Sequence, residues 1–242
     1  MATIATKLQQ VRLRVAQACA AAGRPVESVT LLAVSKTFPS SQVRQAWDAG
    51  QRCFGENYVQ EALGKIAELQ DLQGLQWHFI GPLQGNKARA VAEHFDWVHS
   101  VDRLALAERL SAARPTQRPP LQVCLQVNIS GEGSKSGVTP GEVPTLAAAV
   151  ARLPGLQLRG LMAIPAPLPD DAPPALQRAP FAALKSLLDD LRRSSAHAHA
   201  AAVAPTWDTL SMGMSSDLEA AIAESATIVR VGTAIFGSRE PA

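Results

Sequence analysis

The spacing of apolar residues changes period again and again along this chain. Ile4, Leu8, Val11, Val15 and Cys19 recur at helical intervals, so residues 1–26 read as an amphipathic helix laid on the rest of the domain. Short apolar runs then predict strands at 29–36, 51–56, 76–81, 97–102, 121–129, 156–164, 206–213 and 227–237. Helical patterns fill the gaps at 40–50, 57–70, 84–94, 103–114, 140–153, 175–195 and 215–225. Alternating strands and helices imply a parallel sheet with right-handed crossovers. Eight such units are the number that closes a (β/α)8 TIM-type barrel, here with an extra N-terminal helix. An open doubly wound sheet has the same periodicity. Pro39, Pro82 and Pro140 fall where helices would start, and Gly50 and Gly155 where they would end. The segment 165–180, rich in Pro, Ala and Asp, reads as a loop. Residues 196–205, alanine-rich with His197 and His199, read as a frayed helix end.

Composition narrows the possibilities. The 242 residues, 47% hydrophobic and 18% charged, suit one α/β domain of barrel size, which takes about 250 residues. No linker interrupts them, so 1–242 is expected to be a single domain. A net charge of +2, with no basic block carrying interleaved aromatics, argues against a nucleic-acid partner. No run of about 18 apolar residues exists, so no membrane span is expected. Cys19, Cys53 and Cys124 are scattered without C-x-x-C spacing, which argues against a disulfide framework or a zinc knuckle and fits a reducing cytoplasm. Residues 1–26 lack acids and carry Lys7, Arg12, Arg14 and Arg24, a composition shared by transit peptides. Their helical spacing favours the packed helix.

If the strands close a barrel, the strand exits build the site. Lys36 ends the apolar run that begins at Val29. A lysine held there, partly out of water, is the residue type that condenses with an aldehyde. A solvated lysine just past a strand end gives the same pattern. Ser211-Met212-Gly213-Met214-Ser215-Ser216-Asp217 and Arg230-Val231-Gly232-Thr233-Ala234-Ile235-Phe236-Gly237 place glycines and hydroxyls at the exits of strands seven and eight. Barrels commonly bind phosphate there. The same residues also read as turn glycines, with Ser215 or Ser216 capping a helix over 215–225. Arg230 lies among Ile228, Val229 and Val231, and its guanidinium needs either an anion, a ring nitrogen or a carboxylate on a covering helix. Asn57 and His78 end strands two and three and carry groups that can hydrogen-bond a ligand, although a lone strand histidine is more often a satisfied core residue. Met162 ends strand six, where it can pack on a flat ring or simply fill the core. The loop 130–137 resembles a phosphate loop in composition but lacks G-x-x-x-x-G-K-[ST]. No metal cluster or nucleophile elbow appears.

Taken together, Ala33-Val34-Ser35-Lys36, Phe54-Gly55-Glu56-Asn57-Tyr58, His78-Phe79-Ile80-Gly81 with Leu83-Gln84 and Asn86-Lys87, Ser211-Met212-Gly213-Met214-Ser215 with Asp217, and Arg230-Val231-Gly232-Thr233 with Ile235-Phe236-Gly237 closely resemble the pyridoxal phosphate homeostasis protein family. The segments Val127-Asn128-Ile129 and Lys135-Ser136-Gly137 resemble it too. The likeness runs from about residue 29 to 238, in order. It implies a single barrel similar to the N-terminal domain of alanine racemase, with pyridoxal 5′-phosphate held as a Schiff base on Lys36. By the same resemblance Ser211, Gly232 and Thr233 hold the phosphate, Arg230 faces the pyridine nitrogen, and Asn57, His78, Met162 and Met214 line the ring pocket. It further implies a role in vitamin B6 homeostasis without strong catalysis, and delivery to apo enzymes that use the cofactor. The alternative is an amino-acid racemase on the same barrel. Racemisation needs acid–base groups on both faces of the substrate carbon. Alanine racemases add a β domain that supplies a tyrosine across a dimer interface. This chain stops at Ala242 and its only tyrosine is Tyr58, so a monomeric cofactor handler is expected.

Overall fold

The β-branched and leucine-rich runs pair side by side until the last meets the first. The computed structural model describes residues 2–133, 136–169, 172–195 and 205–238. Its strands are β1 (Thr30–Val34), β2 (Cys53–Glu56), β3 (Gln76–Phe79), β4 (Trp97–Val101), β5 (Leu121–Gln126), β6 (Leu156–Met162), β7 (Thr209–Ser211) and β8 (Ile228–Val231). They form a closed barrel in sequence order. The closing pair is parallel, β1 with β8, in register from Thr30↔Ile228 to Ala33↔Val231. That pairing decides between the two architectures in favour of the (β/α)8 barrel. Successive parallel strands require a crossover, and helices α2 (Ser40–Asp48), α3 (Val59–Glu68), α4 (Ala88–His94), α5 (Leu104–Ala113), α6 (Val143–Val150), α7 (Pro174–Ser195) and α8 (Leu218–Ala223) supply it.

Side chains alternate across each strand, so the core has two parts. One lies between strands and helices and contains Phe54, Phe79, Val98 and Leu184. A smaller one, Leu32, Val34, Ile80 and Ile228, fills the barrel with Cys53 and Trp97 beside it. Helix α1 (Ile4–Ala21) buries Ile4, Leu8, Val11, Val15 and Cys19, the stripe expected from sequence. Arg24, just beyond it, donates to Ile222 O and Ala226 O, both at 2.8 Å, and so fastens α1 to the end of α8.

Three expectations need correction. The eighth strand is short: Gly232 breaks the run, and Thr233–Phe236 form a helical turn, α9, instead of continuing the strand. The run Thr-Ala-Ile-Phe has strand-like composition, but the φ −113°, ψ −75° backbone of Gly232 turns it off the barrel wall. Residues 174–180 are helical rather than loop, because Phe181, Leu184, Leu188 and Leu191 bury one face of α7 and outweigh the missing N–H of Pro180. Pro82 and Pro140 precede their helices by several residues, whereas Pro39 does occupy the N-cap position of α2. The expected frayed end at 196–205 lies, apart from Pro205, outside the described residues, as does Lys135.

Candidate functional site

The strand exits of β1, β2, β7 and β8 open onto one cleft of about 300 Å³. Of the residues singled out in the sequence, Lys36, Asn57, Met214, Arg230, Gly232 and Thr233 line it. Val34, Phe38, Ile80 and Ile164 supply apolar wall, and Ser215, Ser216 and Gly237 complete the lining. The volume lies at the lower end of the range for small-molecule sites.

Lys36 stands two residues past β1 and is half-buried. Its neighbours in sequence are tied down by groups from β2 and α3. The Lys65 ammonium donates to Ser35 O at 2.7 Å, to Glu56 Oε1 at 2.7 Å and to Glu61 Oε1 at 2.6 Å. Ser35 Oγ donates to the same Glu56 oxygen at 2.6 Å, and Thr37 N–H donates to Glu61 Oε1 at 2.6 Å. Glu56 and Lys65 are buried. Burial pushes the Glu56 carboxyl above its usual range, while Lys65 and the Ser35 hydroxyl pull it back. The sequence reading missed this cluster, since its members are spread from position 35 to 65.

Arg230 reaches the cleft from inside the barrel. Its guanidinium donates to Ser211 O at 2.6 Å, Ser211 Oγ at 2.7 Å and Ala163 O at 2.8 Å. Burial lowers its pKa to about 10, so it remains a cation at neutral pH. The hydroxyl of Ser211 also bonds His99 Nδ1 at 2.8 Å, and His99 Nε2 bonds His78 Nδ1 at 2.9 Å. His78 lies flat on Trp97, 5.3 Å between ring centres. A chain joining β3, β4, β7 and β8 can only run through the barrel interior. Three expected lining residues are therefore beneath the cleft. Ser211 is fully buried and engaged by Arg230 and His99, His78 sits in the interior chain, and Met162 is fully buried core. None of the three lines the cleft.

Desolvation holds both histidines neutral: His78 falls to about 3, and His99 falls well below the ordinary range, lowered further by His78 and Arg230. The unfolded chain binds a proton on His78 below about 6.5, where the folded chain does not. Stability from this source is thus complete above pH 6.5 and is lost as pH falls toward 3. The expected slope is up to roughly 1.4 kcal/mol per pH unit for each such histidine. Urea midpoints measured at intervals from pH 7 to 4 should fall, and His78→Gln should flatten the dependence; an unchanged slope in that variant would show that His78 is not the source.

The hydroxyl-bearing residues that do line the cleft are Ser215 and Ser216, together with Thr233. Neither serine caps a helix: α8 begins at Leu218, its N-cap is Asp217, and the Asp217 carboxylate instead accepts from the Met214 N–H. Glycine is needed at one point under this rim and fits closely at another. Gly213 has φ +91° and a Cβ there would stand 2.6 Å from Ala221 Cβ. At Gly232 a Cβ would stand 3.1 Å from Val34 O, a tight approach that β1 would have to absorb by a few tenths of an ångström. Tyr58 is half-exposed at the start of α3 and does not line the cleft.

Among the described residues no group of His, Cys, Asp and Glu could hold a metal ion, and no helix is long and apolar enough to cross a membrane. Residues 7–240 match the family described as alanine racemase, N-terminal domain. A pyridoxal phosphate homeostasis protein from Pseudomonas aeruginosa is 59% identical over 240 residues, covering 99% of this chain and 97% of that protein. PipY of Synechococcus elongatus, solved without pyridoxal phosphate, is 41% identical and superposes with a TM-score of 0.84 over 97% of this chain and all of its own. A second PipY structure, with pyridoxal phosphate bound, is 42% identical with a TM-score of 0.77 over 92% of this chain and all of its own.

Proposed function

We infer the function from one premise: the chain belongs to the pyridoxal phosphate homeostasis protein family, built on the alanine racemase N-terminal domain. It binds pyridoxal 5′-phosphate as a Schiff base on Lys36, keeps the aldehyde away from free amines, and takes part in intracellular vitamin B6 homeostasis without strong catalysis of its own. It does so as a cytoplasmic monomer that passes the cofactor to apo enzymes. The observation that carries this reading is the convergence of an amine, a guanidinium and three hydroxyls on one cleft.

The residues fit the group. Pyridoxal 5′-phosphate supplies an aldehyde, a flat pyridine ring and a phosphate, and each meets a matching partner here. Lys36 offers the amine. The hydroxyls of Ser215, Ser216 and Thr233, beside the backbone of Gly232, hold the anion. Asn57 lines the ring's place and has a buried Oδ1 with no partner among the described residues, ready for a ligand hydrogen bond. Arg230, a cation at neutral pH, faces the ring nitrogen and disfavours a second positive charge there. An unprotonated ring withdraws electrons weakly, which supports storage over transamination, decarboxylation or racemisation. A racemase also needs a second proton donor across the cleft, and Tyr58, the chain's single tyrosine, does not line it.

Borohydride reduction followed by peptide mass mapping tests the linkage, with the adduct expected on Lys36. Thr233→Val preserves shape and removes one hydrogen bond to an anion, a loss of roughly 1.5–3 kcal/mol. Retention of pyridoxal 5′-phosphate, read by absorbance titration, should weaken about ten- to hundredfold with little change in melting temperature, since Thr233 is exposed. Equal affinity in both proteins would remove Thr233 from the phosphate site.

A further inference from the structure

We propose that the ion triad Glu56–Lys65–Glu61 is a positioning device for Lys36, gripping both peptide groups that flank it so that its amine is presented in one orientation. The proposal deepens the reading of Lys36 as the residue that captures the aldehyde, and rests on it.

The argument is geometric. A peptide group is planar, so the Ser35 carbonyl reports the plane that enters Lys36 and the Thr37 N–H reports the plane that leaves it. Lys65 holds the first at 2.7 Å and Glu61 holds the second at 2.6 Å. Lys65 and Glu61 are bonded to each other at 2.6 Å, so one unit fixes both planes. With both planes fixed, φ and ψ of Lys36 are fixed, and so is the direction of its Cα–Cβ bond. The backbone adds its own ties: Ser35 N–H donates to Gly55 O at 3.0 Å and Phe38 N–H to Ser35 O at 3.1 Å.

Two further features point the same way. Thr37 has φ +69°, a conformation that β-branched residues rarely adopt. Such a conformation persists where the surroundings over-determine it, and these cluster at functional sites. The triad itself is a costly way to fill a core. Buried ion pairs are seldom more stabilising than apolar residues of the same size, so the buried Glu56–Lys65 pair, with the part-exposed Glu61 beside it, invites a role beyond stability. Lys65 and Glu61 lie one turn apart on α3 and meet Glu56 from β2, so the clamp braces the rim from outside the barrel. All three donors of the Lys65 ammonium are committed, which also keeps it from competing with Lys36 for a carbonyl.

The test uses the full-length protein. Glu61→Ala removes the acceptor for the Thr37 N–H, while Glu61→Gln keeps one; the Glu61 side chain is 30% exposed, so both variants should fold. In the cofactor-free protein, amide exchange at Thr37 should accelerate in Glu61→Ala. Capture of added pyridoxal 5′-phosphate, followed by absorbance, should slow by about tenfold, the size of effect that misorientation of a reacting group brings. Glu61→Gln should recover most of both. Wild-type capture rates and Thr37 protection in Glu61→Ala would overturn this proposal alone. Equal losses in Ala and Gln variants would assign the effect to charge and overturn the geometric role. Failure of the unaltered protein to form an adduct on Lys36 would overturn the parent reading of that residue, and this proposal with it.

Discussion

Lys36→Ala is expected to abolish covalent capture of pyridoxal 5′-phosphate completely. The methyl group left behind has no nucleophile, and among the described residues no second lysine lines the cleft. Lys65, the nearest lysine in the network, spends its three N–H bonds on Ser35, Glu56 and Glu61. Its substitution for Lys36 would require breaking a buried ion pair, at about 3–5 kcal/mol. The fold should be indifferent. Lys36 lies beyond the last residue of β1, and half-buried substitutions of this kind usually shift stability by less than about 1 kcal/mol. The variant should therefore melt like the parent, lose the near-ultraviolet and visible band of the linkage, and show no reduced adduct by intact mass. Weak reversible binding through the phosphate end should remain. A normal adduct in Lys36→Ala would move the reactive amine elsewhere and dismantle the functional reading.

Gly160→Ala is expected to be the most damaging small substitution in the barrel wall. Gly160 pairs with Thr209 across β6 and β7. A Cβ there would stand 1.9 Å from Thr209 O and 2.7 Å from Thr209 C. Both neighbours are backbone, so no rotamer can relieve the clash, and the two strands must part. The cost should exceed about 3 kcal/mol, the upper end of ordinary overpacking. Guanidinium unfolding would read it as a large fall in midpoint. A midpoint within experimental error of the parent would show that the two strands can part at this point without cost. Gly160 also sits where the β5–β6 register slips, between Val123↔Leu158 and Cys124↔Gly160, as glycines at bulges do.

The barrel was legible because its signal is local and repeated. Each strand is a short apolar run followed by a helical period, and eight repeats left few topologies. Lys36 was legible for the same reason: a lysine closing an apolar run must lie at a strand exit, and in a barrel all exits share one rim. What the sequence hid depends on parity and distance. Ser211, Ser215 and Ser216 look alike in a row of hydroxyls, but only the barrel decides which face inward; Ser211 went to Arg230 and His99. His78 read from sequence as a ligand candidate, with a satisfied core histidine the commoner case, and the alternation of β3 turns it into the interior against Trp97. The clamp around Lys36 joins positions 35, 37, 56, 61 and 65, and no single window holds them. The helical turn at Thr233 was hidden by its β-branched, apolar composition. The close approach of Gly160 to β7 carries no local mark at all.

The wall of the barrel is unevenly stitched. β5 and β6 share six paired positions, whereas β7 and β8 share one, Ser211 with Ile228. The cleft straddles that seam, which Thr227 N–H to Leu210 O, Met212 N–H to Ile228 O and Arg230 N–H to Gly213 O also join: Ser215 and Ser216 rise from one bank, Gly232 and Thr233 from the other. A phosphate held from both banks, as proposed above, would tie β7 and β8 together across the cleft. If the cleft holds the phosphate as proposed, filling it should therefore protect this joint from opening, and emptying it should leave the joint to its backbone bonds alone.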